Sequence, residues 1–476
     1  GPVMSVRGAY AGMAAHALNG LVGSADNRGG TLRANSASIV SFPSPTPFED
    51  EVALAGLKFG KIYKSGSKDM PAIVGGTSGG GTASNYAADG ILNDDPNEIK
   101  VLIGYMHNFA FAAPGAQRWE KALAKVPFSV LITTNASESA MFADILLPAA
   151  HHMYEKWGFA DAIGNGYRHV TLNQPVIEPV WDVKIDETEL SWLLAEKLAE
   201  QGFDNLLRYY KTIVDPETKK APTNAKEFAL YAVKFATQDL WNPATYKSGD
   251  KFTGWEEFRA RGVWNSAPYV YKGTWGKMGT KTKMFEFYSE TLKASLQAHA
   301  EKTKNTIDEI MQAINYQARG DKVFVPHYEE PVYIGSATGF LFVDHKSRLN
   351  REGRSANTSW YQEMKDHDPG DESWDDVIKI NPIDAAKLNV SNGDRMRLTS
   401  PTGQIECTAK LWEGTRPGVI VKCYGQGHWA YGRIAAKEFG KVERGGSNNH
   451  LIPSDFERLS GTSVYYGVRV QMEKVA

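Results

Sequence analysis

The sequence predicts an α/β fold with a parallel-sheet layered part, followed by a smaller C-terminal β-barrel. In the first part, short apolar runs at 99–104, 128–133 and 144–148 alternate with helical segments, as in parallel α/β sheets. From about Pro331 the pattern changes to short strands separated by glycine turns, which is typical of a small barrel.

Length and composition support two domains and exclude several classes of function. A chain of 476 residues is longer than one hydrophobic core usually fills, so we place the domains at residues 1–330 and 331–476. The net charge of −2 argues against nucleic acid as a partner. No apolar run approaches the roughly 18 residues of a membrane helix. Cys407 and Cys423, the two cysteines, are too few for a disulfide framework or an iron–sulfur site built by this chain alone.

The first residues lack an initiator methionine and a signal-peptide pattern. Gly1–Arg7 has no methionine at its start and no signal-peptide pattern, and a helical pattern begins at once, from Tyr10 to Leu21. Because a domain does not normally open so abruptly, we expect the chain to start inside a longer polypeptide.

Local patterns predict the remaining elements of the α/β part. Apolar periodicity predicts helices, alternation predicts a strand, and Ser, Pro and Gly predict surface loops. The predicted elements are a surface excursion at 31–70, a helix at 119–125, an amphipathic helix at 187–201, an irregular aromatic-rich insertion at about 203–280 with a helix at 225–236, and a strand at 284–288.

The predicted barrel, of the six-stranded type, rests on short strands and their turns. Asn381 followed by Pro382 predicts the start of a short helix, and Thr402 with Gly403 predicts a hairpin turn. Cys407 alternates with polar neighbours, which favours a buried and inert thiol. The predicted strands are 339–343, 395–400, 404–411 and 419–421.

The glycine-rich segment 75–82 follows an apolar run and is a candidate nucleotide loop. A Walker loop requires Lys before the final Thr, but Gly81 stands there. A Rossmann fingerprint requires an acid about 20 residues further on at the end of a strand, whereas Asp94 and Asp95 precede a strand. The sequence therefore favours a plain flexible loop, and a nicotinamide-dependent dehydrogenase ranks last among the functions considered.

Two polar loops follow neighbouring strands of the predicted sheet. Ligands bind at the carboxyl ends of parallel strands, so these loops are candidates for holding a polar ring or a phosphate. Helix capping by Ser137 or Thr134 explains the second loop equally well. The candidate residues are Gly104, His107 and Asn108 in the first loop and Thr133, Thr134, Ser137 and Glu138 in the second.

Two turns in the barrel form a second group of candidates. In Gly425–Trp429 the glycines would let the backbone approach a flat ligand, and His428 could donate to it. Arg444–Asn449 is a polar turn that ends in Asn448 and Asn449. Ordinary barrel turns with positive φ explain the glycines, but not the asparagine pair or His428.

The histidines do not favour a metal site built by the protein. His151 and His152 are adjacent, so neither a strand nor a helix aims both at one ion. His107, His345 and His428 are isolated, and no HExxH motif or G-x-S-x-G elbow occurs. We therefore predict no metal ligated by side chains of this chain.

Several motifs, in order along most of the chain, resemble the dimethyl sulfoxide reductase family of molybdopterin-dependent oxidoreductases. The blocks 381–394 and 416–419 resemble the molybdopterin-dinucleotide-binding barrel of that family. Segments 137–148 and 285–290 resemble two further family motifs, with Ser137 and Ser139 where the family has threonines.

The resemblance implies a cofactor and the residues that contact it. Such enzymes hold one molybdenum or tungsten between two pterins, as bis-molybdopterin guanine dinucleotide. The strand-end loops would contact one nucleotide, and the barrel turns would contact pterin and phosphates. The implied contacts are Gly104, His107, Asn108, Thr133, Thr134, Ser137, Glu138 and Asp144, with His345, Asn357, Gly427, His428, Asn448 and Asn449 from the barrel part.

The sequence also lacks motifs that the family has. The family's four-iron cluster cysteines and its metal-ligating residue belong to an N-terminal half whose motifs are not found here. The resemblance therefore implies catalytic residues upstream of Gly1, a partner in the N-terminal part of the same subunit, and a fragment that is inactive alone. It further implies an iron–sulfur electron-transfer subunit, with a membrane anchor or a quinone or cytochrome partner as additional candidates, and a periplasmic location in anaerobic respiration.

Residues 354–360 and 425–432 look most like the branch of respiratory arsenate reductases and arsenite oxidases. Polysulfide, thiosulfate and tetrathionate reductases and phenylacetyl-CoA oxidoreductases are alternatives. Their shared chemistry is a two-electron redox step, often oxygen-atom transfer, at molybdenum. A cofactor-free structural subunit is the alternative of another class, and it predicts bulky residues between Asn108 and His428.

Overall fold

A computed structural model describes residues 3–32, 36–59, 62, 84–150, 153–164, 166–178 and 187–475. None of the helices within these ranges combines the length and apolar character needed to cross a membrane. The helices are α1 (Ala9–Leu21), α2 (Glu51–Gly56), α3 (Ala87–Asn93), α4 (Phe109–Ala112), α5 (Ala116–Lys125), α6 (Glu187–Glu200), α7 (Asn205–Tyr210), α8 (Ala225–Trp241), α9 (Trp255–Arg261), α10 (Glu290–Thr303), α11 (Ile307–Ala313), α12 (Ser359–Glu363) and α13 (Pro382–Lys387). The strands are β1 (Val101–Tyr105), β2 (Phe128–Thr133), β3 (Ile145–Pro148), β4 (Gly158–Gly164), β5 (Tyr167–Asn173), β6 (Val263–Asn265), β7 (Phe340–His345), β8 (Val377–Ile380), β9 (Arg395–Thr399), β10 (Gln404–Leu411), β11 (Val419–Cys423), β12 (Ala436–Glu438), β13 (Val442–Glu443) and β14 (Val468–Lys474).

The chain divides into two compact units, each assembled from separated segments. The first unit comprises Gly1–Leu18, Gly60–Leu147 and Glu286–Ala476, and the second comprises Asn19–Phe59 and Pro148–Phe285. The division into domains at residues 330 and 331 stays a prediction.

The first unit contains a three-stranded sheet in the order β1–β2–β3. β1 and β2 are parallel, in a register that pairs Val101 with Phe128 and Tyr105 with Ile132. Helices α3 and α5 pack against one face, where Ile91 and Trp119 form an apolar cluster with the half-buried Leu102. The predicted apolar runs at 99–104, 128–133 and 144–148 therefore correspond to strands of one sheet.

The first unit also contains a closed six-stranded barrel in the order β10–β8–β11–β7–β14–β9, which confirms the predicted fold class. Its interior is filled by alternating apolar side chains, including Ile380, Leu398 and Val470. Cys407 lies among them and is fully buried, as predicted. The predicted helix is α13, where the Asn381 side chain accepts a hydrogen bond from the Ile383 N–H.

The second unit contains the antiparallel sheet β4–β5–β6 packed with an aromatic cluster. Trp241, Trp255, Phe258 and Trp264 are buried in this cluster. The sequence predicts an irregular aromatic-rich insertion at about 203–280 with a helix at 225–236, and that helix corresponds to α8. The regular part of it comprises α7, α8, α9 and β6.

The strand predicted at 284–288 is wrong. These residues have no strand pairing in the structure, and they lead into α10, whose first turn is capped by Ser289. The Ser289 N–H donates to the Phe324 carbonyl at 2.7 Å, and the Tyr288 ring packs against Phe324. Tyr288 therefore packs against a residue distant in the sequence rather than lying in a strand. The loop predicted at 75–82 and the histidines at 151–152 lie outside the described residues.

Candidate functional site

A buried carboxylate, Glu138, joins the α/β part of the first unit to the barrel turns. Its Oε1 accepts hydrogen bonds from His428 Nδ1 at 2.9 Å and from the backbone N–H groups of Trp429 and Ala430, each at 3.1 Å. Its Oε2 accepts from Asn108 Nδ2 at 2.8 Å. Four donors on one carboxylate fix its position and favour its ionised form.

The electrostatics of Glu138 follow from these contacts. Burial alone would raise the pKa of this carboxyl group, because the charged form loses its water. The hydrogen bonds from His428, Asn108 and Ala430, with the charge of His428, outweigh burial and lower the pKa to about 2. Glu138 is therefore a permanent anion at neutral pH, and it orients the His428 ring.

The His428 ring is fixed on both faces. Phe111 stacks on one side with ring centroids 3.6 Å apart, and the Tyr431 ring lies 4.8 Å away, also parallel. Because Glu138 holds Nδ1, the other ring nitrogen of His428, Nε2, remains to meet a ligand. It is buried and has no hydrogen-bond partner among the described residues.

The two strand-end loops meet as the parallel sheet predicts. Asn108 follows β1 and Glu138 follows β2, so both lie at the carboxyl edge of the sheet. Asn108 also accepts from the Ser139 N–H through Oδ1 at 3.0 Å. Ser137 does not cap the short helix Ser139–Phe142 through its side chain, so helix capping does not account for it.

The two barrel turns pack directly against each other. The Gly427 N–H donates to the Arg444 carbonyl at 2.8 Å. A Cβ on Gly427, whose φ is +91°, would lie 2.1 Å from the backbone nitrogen of Ser447. We expected this glycine to admit a ligand. The structure shows that it admits the neighbouring turn.

The second turn is also tied to the loop after β1. Asn449 Nδ2 donates to the Phe111 carbonyl at 2.7 Å, and the Gly115 N–H donates to the Asn449 carbonyl at 3.0 Å. The Tyr431 N–H donates to the Ala136 carbonyl at 2.9 Å. Both groups of loops predicted from the sequence therefore converge within the first unit.

Around this junction several buried polar atoms lack a protein partner in the described part of the chain. Nearly all buried polar groups in native proteins are hydrogen-bonded, so a local concentration of exceptions indicates a further partner such as a ligand. We call this set the orphan cluster: Ser137 Oγ, His428 Nε2, Ser447 Oγ, and both Oδ1 and Nδ2 of Asn448.

Other predicted residues lie near the junction but have different contacts. The His107 ring rests on Gly104 and stacks on Phe109, and burial lowers its pKa. Thr133 forms a local turn with the backbone of Asn135, and Thr134 is exposed.

Asp144 and Asn357 each accept hydrogen bonds from the backbone of another segment. Asp144 precedes β3 and accepts from the Ser129 N–H at 2.6 Å, at the start of β2 and so at the opposite edge of the sheet. Asn357 Oδ1 accepts from the N–H groups of Ile434 and Ala435, so it holds a loop. Their role as cofactor contacts stays a prediction without geometric support.

His345 belongs to a separate buried cluster at one end of the barrel. His345, Asp371 and Cys423 offer ligand atoms within 4.8 Å of one another, the pattern of a candidate metal site. However, Lys379 Nζ lies 3.1 Å from both His345 Nε2 and Asp371 Oδ1. Burial and the charge of Lys379 lower the pKa of His345. The ammonium group already supplies the cation that a metal would supply.

Comparison with known proteins shows what the chain is similar to. Residues 350–469 match the family model described as molydopterin dinucleotide binding domain. Over 480 residues the chain is 51% identical to ArrA, the molybdopterin-containing subunit of arsenate respiratory reductase, from Shewanella sp. (strain ANA-3), covering 100% of this chain and 56% of that protein. The chain is therefore similar over its whole length to part of a molybdopterin-containing subunit.

Two further proteins are similar over most of the chain. ArrA of Chrysiogenes arsenatis is 48% identical over 99% of this chain, which covers 57% of that protein. A tetrathionate reductase protein of Salmonella typhimurium is 21% identical over 90% of this chain, which covers 44% of that protein. The chain thus spans little more than half the length of the ArrA relatives it matches. The structure of acetylene hydratase from Pelobacter acetylenicus shares the fold, with a TM-score of 0.58 and 15% identity over 94% of this chain and 56% of that one.

The orphan cluster fits a molybdopterin dinucleotide by its chemistry. Hydroxyl, amide and imidazole groups can each pair with the alternating donors and acceptors of a pterin or guanine ring. Sequence reasoning missed Ser447, Phe111 and Tyr431. Ser447 lies beside Asn448 in a turn already singled out, so its position was a usable signal. Tyr431 lies in the segment 425–432 that was also singled out, whereas Phe111 gave no signal, because its role depends on stacking with His428.

Proposed function

We propose that the chain is the cofactor-holding part of an arsenate respiratory reductase catalytic subunit. The observation that carries the proposal is the 51% and 48% identity to two ArrA proteins across essentially the whole chain. The orphan cluster supports it independently, because it provides buried polar atoms at the junction where the dinucleotide-binding turns meet. In the proposed reaction two electrons and two protons convert arsenate into arsenite and water.

When bound, the molybdopterin cofactor would supply the two-electron redox chemistry at its metal. The residues of this chain bind and orient it. Glu138 holds His428 through Nδ1, and Phe111 with Tyr431 keep the ring in one plane. Asn448 offers a donor and an acceptor from one side chain, and the hydroxyl groups of Ser137 and Ser447 adapt to either role. The site is thus pre-organised without needing side chains to reorder.

Contacts at the junction argue against a cofactor-free structural role. That alternative requires bulky packing between Asn108 and His428, but the carboxylate of Glu138 lies between them and bonds to both. A protein that had lost its ligand would gain stability by replacing orphaned polar groups with apolar ones.

The remaining features of the enzyme extend this proposal. We infer a four-iron cluster and a metal-ligating residue in polypeptide beyond this chain, an iron–sulfur electron-transfer partner and a periplasmic location. The support is the length of the relatives and the word respiratory in their name. A quinone or a cytochrome would then exchange electrons with the iron–sulfur partner, and a membrane anchor is a further candidate subunit.

The test is made on the complete subunit that contains this sequence. Purified protein is analysed for molybdenum and tungsten and for guanine released by acid, and then assayed for oxidation of a reduced dye by arsenate. We expect each complete subunit to contain one metal and two guanines, and to turn over faster with arsenate than with tetrathionate. Absence of both metals refutes the cofactor, and preference for tetrathionate refutes the substrate.

A further inference from the structure

Among the described residues of the first unit, one face of the parallel sheet exposes apolar side chains. In β1, Val101 and Ile103 are 56% and 61% exposed, and in β2 Phe128 is 41% exposed. Val101 pairs with Phe128 and Ile103 with the half-buried Val130, so all four side chains lie on the same face. We call these four residues the open face.

Helices cover the opposite face of the same sheet. There Leu102 packs under helices α3 and α5, in a cluster with Ile91 and Trp119. Parallel sheets occur almost only with both faces covered, because their crossover connections place helices on each side. An apolar face left in water on a parallel sheet therefore indicates a missing layer.

We infer that the open face is the docking surface for a helical layer from the additional polypeptide that the ArrA relatives possess. This inference rests on the proposed function, since it takes the chain to be part of a longer subunit. The relatives are nearly twice as long as the matched region, so they have enough chain to form such a layer. The open face carries no charged side chain, which favours a permanent apolar layer over a transient polar partner.

Cysteine labelling tests this inference without requiring cofactor. Both natural cysteines are buried, so Ile103→Cys introduces one accessible thiol into the chain. We expect a maleimide dye to label Ile103→Cys readily in the 476-residue chain, and at least ten times more slowly in the complete subunit. The matched control is Val270→Cys in the second unit, whose parent side chain is 72% exposed, and which should label similarly in both forms.

Two outcomes overturn the inference. Equal labelling of Ile103→Cys in both forms means that nothing covers the open face. Slow labelling in the 476-residue chain that becomes fast on dilution means that a second copy covers it. An Ile103→Lys variant adds a second readout: the isolated chain should keep its thermal stability, whereas the complete subunit should lose stability. If the complete subunit lacks metal but still protects Ile103→Cys, the proposed function fails while the docking surface stands.

Discussion

At the scale of single residues, the site depends on one anion buried between two loops. Glu138 is fully buried, and each of its oxygens accepts from a group on a different element. An ionised carboxylate without such donors would cost several kcal/mol to bury. The pair Glu138 and His428 therefore stabilises the contact between the strand-end loop and the barrel turn.

The first prediction concerns the pH dependence of stability through Glu138. Its pKa falls from 4.5 to about 2 on folding, so its contribution is complete above pH 4.5 and is lost as the pH falls through about 2. A shift of this size corresponds to roughly 3 kcal/mol. We expect Glu138→Gln to lower the free energy of unfolding by about that amount at pH 7, and by less at pH 3, as measured by urea unfolding.

The control for this prediction is Glu413→Gln, which changes an exposed carboxylate in the loop after β10. It should leave stability nearly unchanged at both pH values. If the cost of Glu138→Gln is the same at pH 7 and pH 3, the carboxylate does not titrate as the contacts require.

The second prediction separates ligand binding from folding at two adjacent asparagines. The Asn448 side chain has no partner in the described part of the chain, whereas Asn449 donates to the Phe111 carbonyl. We expect Asn448→Ala to leave the thermal stability of the cofactor-free chain unchanged. In the complete subunit it should weaken cofactor retention about 10- to 100-fold, because two hydrogen bonds are lost. Asn449→Ala should destabilise the chain by about 1 kcal/mol. The reverse pattern would show that Asn448 is structural.

At the scale of elements, the closed barrel keeps water and dissolved reagents away from its interior side chains. Cys407 in β10 is fully buried, and burial raises the pKa of its thiol to about 12. Burial also raises the pKa of the Cys423 thiol in β11. Since only the thiolate reacts appreciably, we expect neither cysteine to react with a disulfide reagent at pH 8 in the native protein, and both to react in denaturant. A fast reaction of Cys407 in the native protein would contradict closure of the barrel.

The fourth prediction concerns the ion pair that joins β8 to the loop before it. The side chains of Lys379 and Asp371 are 3% and 2% exposed, and Lys379 Nζ lies 3.1 Å from Asp371 Oδ1. Breaking such a buried pair leaves a charge without compensation, so we expect Lys379→Met to cost about 3–5 kcal/mol in free energy of unfolding. The double variant Lys379→Met with Asp371→Asn should cost less than the sum of the single variants. Strict additivity would mean that the two groups do not interact.

Elements with strong patterns were predictable, and those that depend on distant contacts were not. The apolar run 128–133 and the alternating run 404–411 match β2 and β10, because their patterns were strong. β8 was missed because it has only four residues and includes a buried lysine, whose partners lie elsewhere in the chain. In the same way, the loops of the site were predicted from strand ends, but the Glu138–His428 contact joins residues 290 positions apart.

At the scale of the molecule, two compact units each combine segments far apart in sequence. The carboxyl edge of the sheet and the barrel turns belong to the same unit, although about 290 residues separate them. The candidate site is therefore formed by contacts between segments that are far apart in the sequence.

The last prediction follows from the cysteine content of the whole chain. A four-iron cluster requires four ligands, usually cysteine thiolates, and this chain has two cysteines, both buried in the barrel part. We expect anaerobic reconstitution of the 476-residue chain with iron and sulfide to give no visible absorbance from an iron–sulfur cluster. The complete subunit, treated in the same way, should bind about four irons if the proposed cluster lies in polypeptide beyond this chain. A cluster in the isolated chain would mean that the two barrel cysteines bind iron. If neither form binds a cluster, the proposed route by which electrons enter the subunit is wrong.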